Sequence, residues 1–490
     1  MIVLAYMAGH STPFFLRTIE HFIAKLNGQV SEVHFLIGDQ YQFLLAKKRN
    51  LDRRIHLIYQ HEKMDPFRQP LSLSSKELSQ LEEHYGLPNL RRYILSQRLI
   101  DRLPDERKIA YTATYLRYFE ALTHQLKPDL FITGGQDSLP FLAAHKVAQK
   151  NGCLPLILTP GWIPGWVFVV DNEYLLIPGV PELYESLKKR DLTAQERACA
   201  ERIRESYLVK KIKPTAFAAG HSVPIVPSPL RFLRAAWKQA HYQNHYFDTT
   251  LVENIRRSIL VRARYPIQKT ALKLLSTKRV DQERSFYYPL HYEPEASIDV
   301  LGTPYRDQAA LIEQIVAALP AKHVLYVKEH PHMNPGSRPA RFYWRLSQLG
   351  SVRLVDQKVD GHELLARCKG VLTIAGTSGF EALFYGKPVL LFGRTFYEDF
   401  KEGVIRPRGL EEFAEKLLMI SQFPGFDPGL LDKFIVAVLK RSYPGVNELT
   451  APGMENPAND AALADALIGE LHYRSRLQKS SSKPETAWAS

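Results

Sequence analysis

Short apolar runs alternate with helix-forming stretches over the first two hundred residues of the chain. The apolar runs are four or five residues long, are bounded by turn-forming residues, and span 2–6, 33–37, 130–133 and 154–158. Runs of this length and setting are typical of buried β-strands. Helices are expected from about Pro13, within 75–126, and up to Gln149. This alternation predicts a parallel, doubly wound sheet.

The same order of strand and helix returns in the second half. Runs rich in apolar and β-branched residues at 286–290, 323–328 and 371–374 predict three more strands. Helices are expected over about 305–319, from Phe380, and from about Leu410 and Pro428. The fold class expected for the whole chain is therefore α/β, with two Rossmann-like doubly wound domains.

Composition divides the chain into five segments. Residues 1–205 and 282–455 are the two expected Rossmann-like domains, and 206–281 is a basic, aromatic-rich helical connector. An amphipathic helix is expected over 456–476. The tail, 477–490, is rich in Ser, Lys and Pro and is predicted to be disordered.

A glycine-rich turn follows the strand expected at 371–374. It reads Gly376-Thr-Ser-Gly379 and leads into a helix that carries Glu381. The amides at a helix N-terminus bind phosphate without a side-chain cation, and the hydroxyls of Thr377 and Ser378 add two donors. Glu381, expected in the first turn, suits ribose hydroxyls at the rim. An ordinary capping box explains the same residues, so the sequence alone leaves both interpretations open.

Two further strand ends carry basic and imidazole side chains. Lys328 and His330 lie on the same side at the end of the strand 323–328, and His291 follows the strand 286–290. Because an α/β sheet binds its ligand at the carboxyl ends of its strands, these residues suit a nucleotide phosphate and sugar. The structural alternatives are a surface lysine beside a partly buried histidine, and helix capping after His291.

Two loops of the N-terminal half direct polar groups out of strand ends. His10 follows the first strand, and Asp137 lies in the loop Gly134-Gly-Gln-Asp-Ser138. Either side chain is a candidate general base, since an imidazole or carboxylate within hydrogen-bond reach of a hydroxyl accepts its proton. The alternatives are a helix N-cap for Asp137 and a packed loop residue for His10.

Positive charge is concentrated between residues 201 and 281. Sixteen Lys and Arg face five Asp and Glu there, an excess of eleven in a chain whose formal net charge is +13. The interleaved aromatics and the run Arg231-Phe-Leu-Arg-Ala-Ala-Trp-Lys238 resemble a membrane-surface helix. Residues 202–279 are therefore predicted to contact an anionic membrane surface. A solvated face explains the charge as well, and no nucleic acid partner is expected because no recognised binding motif accompanies it.

Composition and cysteine usage indicate a two-domain globular protein of a reducing compartment. The chain has 490 residues, 45% of them apolar, which is enough for two packed domains. Three widely spaced cysteines (Cys153, Cys199 and Cys368) form no metal motif, and no metal is expected. The first residues lack a basic n-region, and no apolar run approaches the roughly 18 residues of a membrane span. A cytoplasmic location is expected.

The segment from Tyr287 to Tyr397 resembles the capsule polysaccharide biosynthesis family, which includes the Kdo transferases of bacterial capsule assembly. The resemblance rests on four runs: Pro289-Leu-His-Tyr-Glu-Pro-Glu-Ala-Ser297, Lys328-Glu-His-Pro331, Gly376-Thr-Ser-Gly-Phe-Glu-Ala-Leu383 and Gly386-Lys-Pro388. It implies a GT-B glycosyltransferase, whose two domains face each other across a cleft. The N-terminal domain would serve the acceptor, and the C-terminal domain would hold the nucleotide sugar.

The resemblance also implies the parts of the site and its partners. The residues that would contact the nucleotide sugar are Lys328, His330, Thr377, Ser378, Gly379 and Glu381, with His291 and Gly376 in the same donor site. The favoured donor is CMP-Kdo, as a co-substrate with no cofactor, and the acceptor would be a glycan or glycolipid. The protein would then work at the inner face of the bacterial cytoplasmic membrane as a peripheral enzyme.

The N-terminal half departs from the family at one position. The run Thr159-Pro-Gly-Trp-Ile-Pro-Gly165 resembles the family's Gly-x-x-Pro-Gly segment, but Thr159 stands where many relatives carry Glu. Two alternatives to a glycosyltransferase are therefore kept. A non-hydrolysing nucleotide-sugar 2-epimerase shares the two-domain cleft and a Gly-rich loop before a Glu, and a non-catalytic scaffold of capsule assembly would need no Glu at position 159.

Overall fold

The computed structural model describes residues 1–64, 73–101, 103–211, 251–279, 285–333, 336–447 and 456–481. More than half of the basic connector expected at 206–281, including the run Arg231–Lys238, lies outside the described residues, as does 482–490 of the expected tail. Among the described helices, none has both the length and the apolar character needed to cross a membrane.

The described chain alternates between strands and helices. The strands are β1 (Ile2–Met7), β2 (Glu32–Ile37), β3 (Ile55–Tyr59), β4 (Leu130–Thr133), β5 (Leu154–Pro160), β6 (Trp166–Val170), β7 (Ser276–Thr277), β8 (Ser285–Pro289), β9 (Val324–Lys328), β10 (Val352–Val355), β11 (Gly370–Thr373), β12 (Val389–Leu391), β13 (Val404–Ile405) and β14 (Tyr443–Pro444). The apolar runs predicted as strands are confirmed.

The helices fill the intervals between these strands. They are α1 (Thr12–Lys25), α2 (Gln40–Ala46), α3 (Gln60–Met64), α4 (Ser75–Tyr85), α5 (Arg91–Leu95), α6 (Asp105–Leu126), α7 (Leu139–Lys150), α8 (Val180–Lys188), α9 (Ala194–Leu208), α10 (Leu251–Leu275), α11 (Ala296–Asp299), α12 (Gln308–Ala318), α13 (Ala340–Ser347), α14 (Gly361–Arg367), α15 (Thr377–Phe384), α16 (Phe413–Ser421), α17 (Pro428–Lys440) and α18 (Pro457–Ser481).

The strands form two seven-stranded sheets. The first has the order β14-β6-β5-β4-β1-β2-β3, with β1 to β5 parallel and β6 antiparallel to both of its neighbours. The second has the order β13-β12-β11-β8-β9-β10-β7, and all of its pairings are parallel. The predicted α/β class with two Rossmann-like doubly wound domains is confirmed.

Strand β1 shows how the first sheet is covered on both faces. Val3 and Ala5 belong to a core shared with α1 and α18, whereas Leu4 and Tyr6 belong to a core shared with α6 and α7. Successive side chains of a strand alternate between the two faces of the sheet. A strand buried on both faces is therefore apolar throughout, which is the pattern seen at residues 2–6.

Near the domain boundaries predicted at 205, 281 and 455, some elements pack with a different domain from the one expected. Helix α9 runs across the boundary predicted at 205 and packs on the second domain, where the Tyr207 and Phe384 rings stack with centroids 4.3 Å apart. Strand β7, expected in the connector, pairs with β10 of the second sheet.

The chain returns to the first domain at its C-terminal end. Strand β14, expected in the second domain, pairs with β6 of the first sheet. Helix α18 packs on α1, where Arg17 pairs with Asp460 at 2.7 Å. This helix continues to Ser481, past the boundary predicted at 477.

Candidate functional site

The second sheet has a topological switch point between β8 and β11. From β8 the chain passes to β9 and β10 on one side, and it then returns to add β11, β12 and β13 on the other side of β8. Parallel α/β sheets bind ligands outside the carboxyl ends of the strands where this reversal occurs. The predicted donor-site residues follow β8, β9 and β11, so the fold places them along one edge.

His291 connects the two strands that flank the switch point. Its Nε2 atom accepts the Ala375 amide at 3.3 Å and lies 3.2 Å from the Thr373 hydroxyl, which itself accepts the Gly376 amide at 3.1 Å. Because Nε2 is an acceptor, the neutral ring carries its proton on Nδ1. Burial lowers the pKa of His291 to about 4, so the imidazole is neutral near pH 7.

Helix α15 starts at the switch point with an uncapped N-terminus. Its N-cap is Gly376, no side chain caps it, and Thr377 and Ser378 occupy the first two helical positions. The capping-box alternative is therefore excluded. The helix also begins three residues before the predicted Phe380. Glu381 consequently lies beyond the first turn, which corrects its expected position, although it shares a helix face with Thr377 four residues earlier.

The two glycines of this turn are required by close packing. A Cβ atom at Gly376 would lie 3.0 Å from both His291 Nε2 and Thr373 Oγ1, and one at Gly379 would collide with the Tyr397 hydroxyl. That hydroxyl donates to the Gly376 carbonyl oxygen at 2.8 Å. The glycines thus let a histidine and a tyrosine fix the start of α15, whether or not a ligand is bound.

Lys328 and His330 lie at the end of β9, next to β8. Lys328 is buried and His330 is half-buried. The His330 Nδ1 atom accepts the His332 amide at 3.2 Å, so the neutral ring carries its proton on Nε2. Burial, and then the neighbouring His291, lower the pKa of His330 to about 3. Both imidazoles are therefore neutral near pH 7, and Lys328 and the α15 N-terminus supply positive potential for an anionic ligand.

Arg338 is a site residue that sequence reasoning missed. Its buried guanidinium donates to the His291 carbonyl oxygen, pairs with Glu329, and lies 3.2 Å from Glu293. It thereby ties the end of β8 to the end of β9. The sequence contains one signal of such a partner, because a buried carboxylate such as Glu329 requires a cation or donors. It does not indicate which arginine that partner is.

Glu295 is a second residue whose importance emerges from its surroundings. Its Oε2 atom accepts the Ser297 hydroxyl at 2.6 Å, and within the described ranges it makes no ion pair, whereas Glu293 pairs with Arg98 at 2.8 Å. Burial raises the pKa of Glu295 to about 7. A carboxyl group with that pKa exchanges protons readily near neutral pH, which is a property of general acids and bases.

The segment after β8 also forms the boundary between the two domains. Ala296 and Val300 pack into a core of the N-terminal domain, and Arg98 of that domain pairs with Asp299 at 2.6 Å. Burial raises the pKa of Asp299 to about 6, against the opposing effect of Arg98. Glu295, one residue before Ala296, therefore lies next to the interdomain contact.

The two residues predicted as candidate bases lie at the switch point of the first sheet, between β1 and β4. His10 is exposed in a 3₁₀ turn after β1, and Asp137 is exposed after β4. Their exposure excludes the packed-loop alternative for His10. The N-cap of α7 is Ser138, which excludes the cap alternative for Asp137.

The segment that departs from the family pattern is an antiparallel turn between β5 and β6. Thr159 is buried, and its hydroxyl donates to the Pro160 carbonyl oxygen at 3.2 Å. Trp162 packs against the Phe396 and Tyr397 rings at 5.1 and 5.6 Å, in the core between the domains. Among the described residues, no group of three or more His, Cys, Asp or Glu side chains is arranged to hold a metal ion.

The fold and the candidate site define a class of protein: a two-domain α/β protein with a candidate ligand site at the C-terminal switch point. Residues 230–419 match the model of a family described as capsule polysaccharide biosynthesis protein. The resemblance to that family is therefore confirmed over this part of the chain. No curated protein matches the sequence.

Several solved structures are similar to the chain at low identity. The β-Kdo 2,7 transferase KpsC of Thermosulfurimonas dismutans is 13% identical, over 73% of this chain and 89% of that one, with a TM-score of 0.38. The β-Kdo 2,4 transferase KpsC of the same organism is 16% identical, over 69% and 87%, with a TM-score of 0.36. The UDP-GlcNAc 2-epimerase of Methanocaldococcus jannaschii is 13% identical, over 90% and 99%, with a TM-score of 0.25.

Proposed function

We propose that the protein is a glycosyltransferase of capsule or other surface-polysaccharide assembly, which moves a sugar from a nucleotide donor to a glycan or glycolipid acceptor. The observation that carries the proposal is the convergence of the ends of β8, β9 and β11 at one switch point. These strand ends lie within the matched residues 230–419. The family resemblance favours CMP-Kdo as the donor.

The donor phosphate is proposed to bind at the N-terminus of α15. The uncapped amides of the first turn, the hydroxyls of Thr377 and Ser378, and the Lys328 ammonium group suit a phosphate oxygen. His330 offers a neutral Nε2–H donor, and Glu381 is proposed to accept ribose hydroxyls. As the bond to the sugar breaks, negative charge grows on the leaving phosphate, and the helix N-terminus and Lys328 are placed to stabilise it.

Three residues are proposed as candidates for accepting the proton of the acceptor hydroxyl. His10 and Asp137 lie at the N-terminal switch point and are exposed. Glu295 lies at the domain boundary and has a pKa near 7. A base that is ionised close to working pH and within hydrogen-bond reach of the hydroxyl is what the step requires. The activity of single variants decides among the three.

The direct test is to incubate the protein with nucleotide sugars, with and without a glycolipid acceptor, and to measure free nucleotide and the mass of the acceptor. The proposal predicts nucleotide release that depends on the acceptor, together with a mass gain of one sugar. Asp137→Asn, His10→Ala and Glu295→Gln are compared with the control Glu313→Gln, whose side chain is partly exposed in an ion pair with Arg345. Release of nucleotide without a change in acceptor mass for every donor would contradict the proposal.

One structural observation favours a second candidate, the non-catalytic scaffold. Thr159, at the position where relatives carry Glu, is buried with its hydroxyl turned to the backbone, so it offers no reactive group. A scaffold predicts donor binding without transfer, or neither. The epimerase alternative predicts conversion of UDP-GlcNAc with no acceptor present, and the same incubation detects it.

A further inference from the structure

Helix α10 is fixed to the C-terminal domain along one face. Gln268 is buried, its amide donates to the Tyr343 hydroxyl at 2.9 Å, and its carbonyl oxygen accepts the Gly336 amide. Leu272 and Leu275 pack against the core of the same domain. These contacts determine which side of the helix is turned away from the protein.

The outward face of α10 is apolar and uncovered within the described part of the chain. Ile259, Ile267 and Leu274 are 59%, 61% and 77% exposed and recur at helical spacing. Trp344 of the neighbouring helix α13 is 61% exposed, and a groove of about 780 Å³ runs between the two helices. Large apolar side chains grouped in this way on a surface mark an interaction site.

Positive charge surrounds this apolar surface. Helix α10 carries six Lys and Arg and a single acidic residue, Glu253, and α13 carries two Arg and no acid. Lys269 and Lys273, four residues apart, form an exposed basic stripe on α10, on the opposite flank of its outward face from Ile267 and Leu274. Arg341 is exposed next to the groove. Apolar anchors with Lys and Arg beside them are the pattern of a surface that binds the headgroup region of an anionic bilayer.

We propose that the surface formed by Ile259, Ile267, Leu274 and Trp344, flanked by Lys269 and Lys273, docks the protein on an anionic lipid bilayer. Trp344 would lie in the interfacial layer, which tryptophan prefers, with the isoleucine and leucine side chains at the acyl boundary. This inference goes beyond the proposed activity, since it assigns a membrane surface to particular residues and needs neither donor nor acceptor.

Charge favours the bilayer over two other occupants. Residues 212–250, which precede α10, contain four Lys and Arg and one Asp, so they carry the same sign of charge as the surface. A second copy of the chain would present the same cations as well. Phosphatidylglycerol headgroups carry the opposite charge, and each Lys or Arg near such a surface adds to the binding free energy.

The test is co-sedimentation of the full chain with vesicles of phosphatidylcholine alone and of phosphatidylcholine containing phosphatidylglycerol. The proposal predicts binding to the anionic vesicles that weakens with salt. Ile267→Ser/Leu274→Ser and Lys269→Glu/Lys273→Glu should each weaken binding about tenfold or more. The matched controls are Leu44→Ser/Leu45→Ser and Lys47→Glu/Lys48→Glu, which change exposed apolar and basic residues in the N-terminal domain and should bind like wild type.

A fluorescence measurement tests whether Trp344 itself enters the bilayer. Brominated lipid should quench the tryptophan fluorescence of wild type, and the quenching should fall in Trp344→Phe. Equal binding by the α10 variants and wild type, or equal losses in the controls, would overturn the proposal. So would a concentration-dependent dimer that is lost in Ile267→Ser/Leu274→Ser, or Trp344 fluorescence that is unchanged by vesicles. Thermal shifts with nucleotides test the donor site separately in the same variants. These shifts should equal those of wild type, because the substitutions lie outside the donor site.

Discussion

His291 Nε2 lies 3.2 Å from the hydroxyl oxygen of Thr373, across the point where the second sheet reverses its strand order. The two residues are 82 positions apart in the chain, and each holds part of the turn before α15. Their contact makes the shape of the candidate phosphate site depend on a buried, neutral imidazole and a buried hydroxyl.

Thr373→Val should destabilise the protein and weaken donor binding. The substitution keeps the shape of the side chain but leaves the Gly376 amide without its acceptor, at an expected loss of about 1–3 kcal/mol. Thr18→Val is the matched control, because the Thr18 hydroxyl is also buried but only donates to a carbonyl oxygen of its own helix at 3.4 Å. Urea denaturation measures the loss of stability in both variants. An equal loss of stability in the two variants would show that the contact at the switch point stabilises the protein no more than an ordinary buried hydroxyl does.

Gly379→Ala should destabilise the protein because its new methyl group would overlap the Tyr397 hydroxyl and lie 2.9 Å from Thr373 Cγ2. The double variant Gly379→Ala/Tyr397→Phe should recover part of the loss, since the closest atom is removed. Gly350→Ala is the control, as no atom lies within 4 Å of its added methyl. Thermal unfolding of wild type, the three variants and the single variant Tyr397→Phe provides the comparison. Additive losses in the double variant would contradict the packing explanation.

Glu295→Gln should stabilise the protein at alkaline pH. The folded pKa of Glu295 is about 7, above its ordinary value of 4.5, so the native state binds the proton more tightly than the unfolded chain. The stability from this group is fully present below about pH 4.5 and is lost as pH rises through 7. Above pH 7 the variant should be more stable than wild type by on the order of 3 kcal/mol.

The same Glu295→Gln variant should lose transfer activity while retaining nucleotide binding, if Glu295 is the proton-exchanging group. Denaturation curves between pH 4 and pH 9 measure the predicted change in stability, and a transfer assay measures the predicted loss of activity. The control is Glu313→Gln, which removes one partner of an exposed ion pair with Arg345. A stability difference that does not change with pH would show that burial does not raise the pKa as described.

Arg98→Met should weaken the contact between the domains. Arg98 pairs with Glu293 and Asp299 at 2.8 and 2.6 Å. Its loss would leave the buried Asp299 carboxylate without an ion pair and would leave Glu293 with Arg338, at an expected loss of about 3 kcal/mol. Arg91→Met is the control, because its pair with Asp105 at 3.1 Å is exposed and such pairs contribute about 0–1 kcal/mol. Calorimetry measures both losses, and similar values would contradict the bridging role of Arg98.

The sequence predicts the frame of this protein well because its central strands are buried on both faces. Residues 2–6 are apolar throughout, and residues 371–374 are apolar except for Thr373; both runs are followed by turn residues, so local pattern and final structure agree. Strands β7 and β14 have only two residues each, Ser276–Thr277 and Tyr443–Pro444, and exist because a neighbouring strand pairs with them. Nothing local marks them as strands.

The site was predictable in outline but not in its connections. Lys328, His291 and the turn at 376–379 each lie at or just after the end of a predicted strand, so their positions in the sheet could be predicted. The packing role of Gly379 depends on Tyr397, and the stack of Tyr207 on Phe384 joins the predicted connector to the predicted second domain. Such contacts are set by tertiary packing over long chain separations, which periodicity does not encode.

The most direct test of the account is a thermal-shift titration with CMP, CDP, UDP and GDP and their sugars, on wild type, Lys328→Ala and Ser378→Ala. A ligand that binds the native state raises the melting temperature by mass action. A donor site at the C-terminal switch point predicts a rise with one nucleotide class, with CMP favoured. Lys328→Ala and Ser378→Ala should abolish this rise, and Lys322→Ala and Ser421→Ala should retain it. No rise with any nucleotide, or a rise unaffected by Lys328→Ala and Ser378→Ala, would contradict a donor site at the C-terminal switch point.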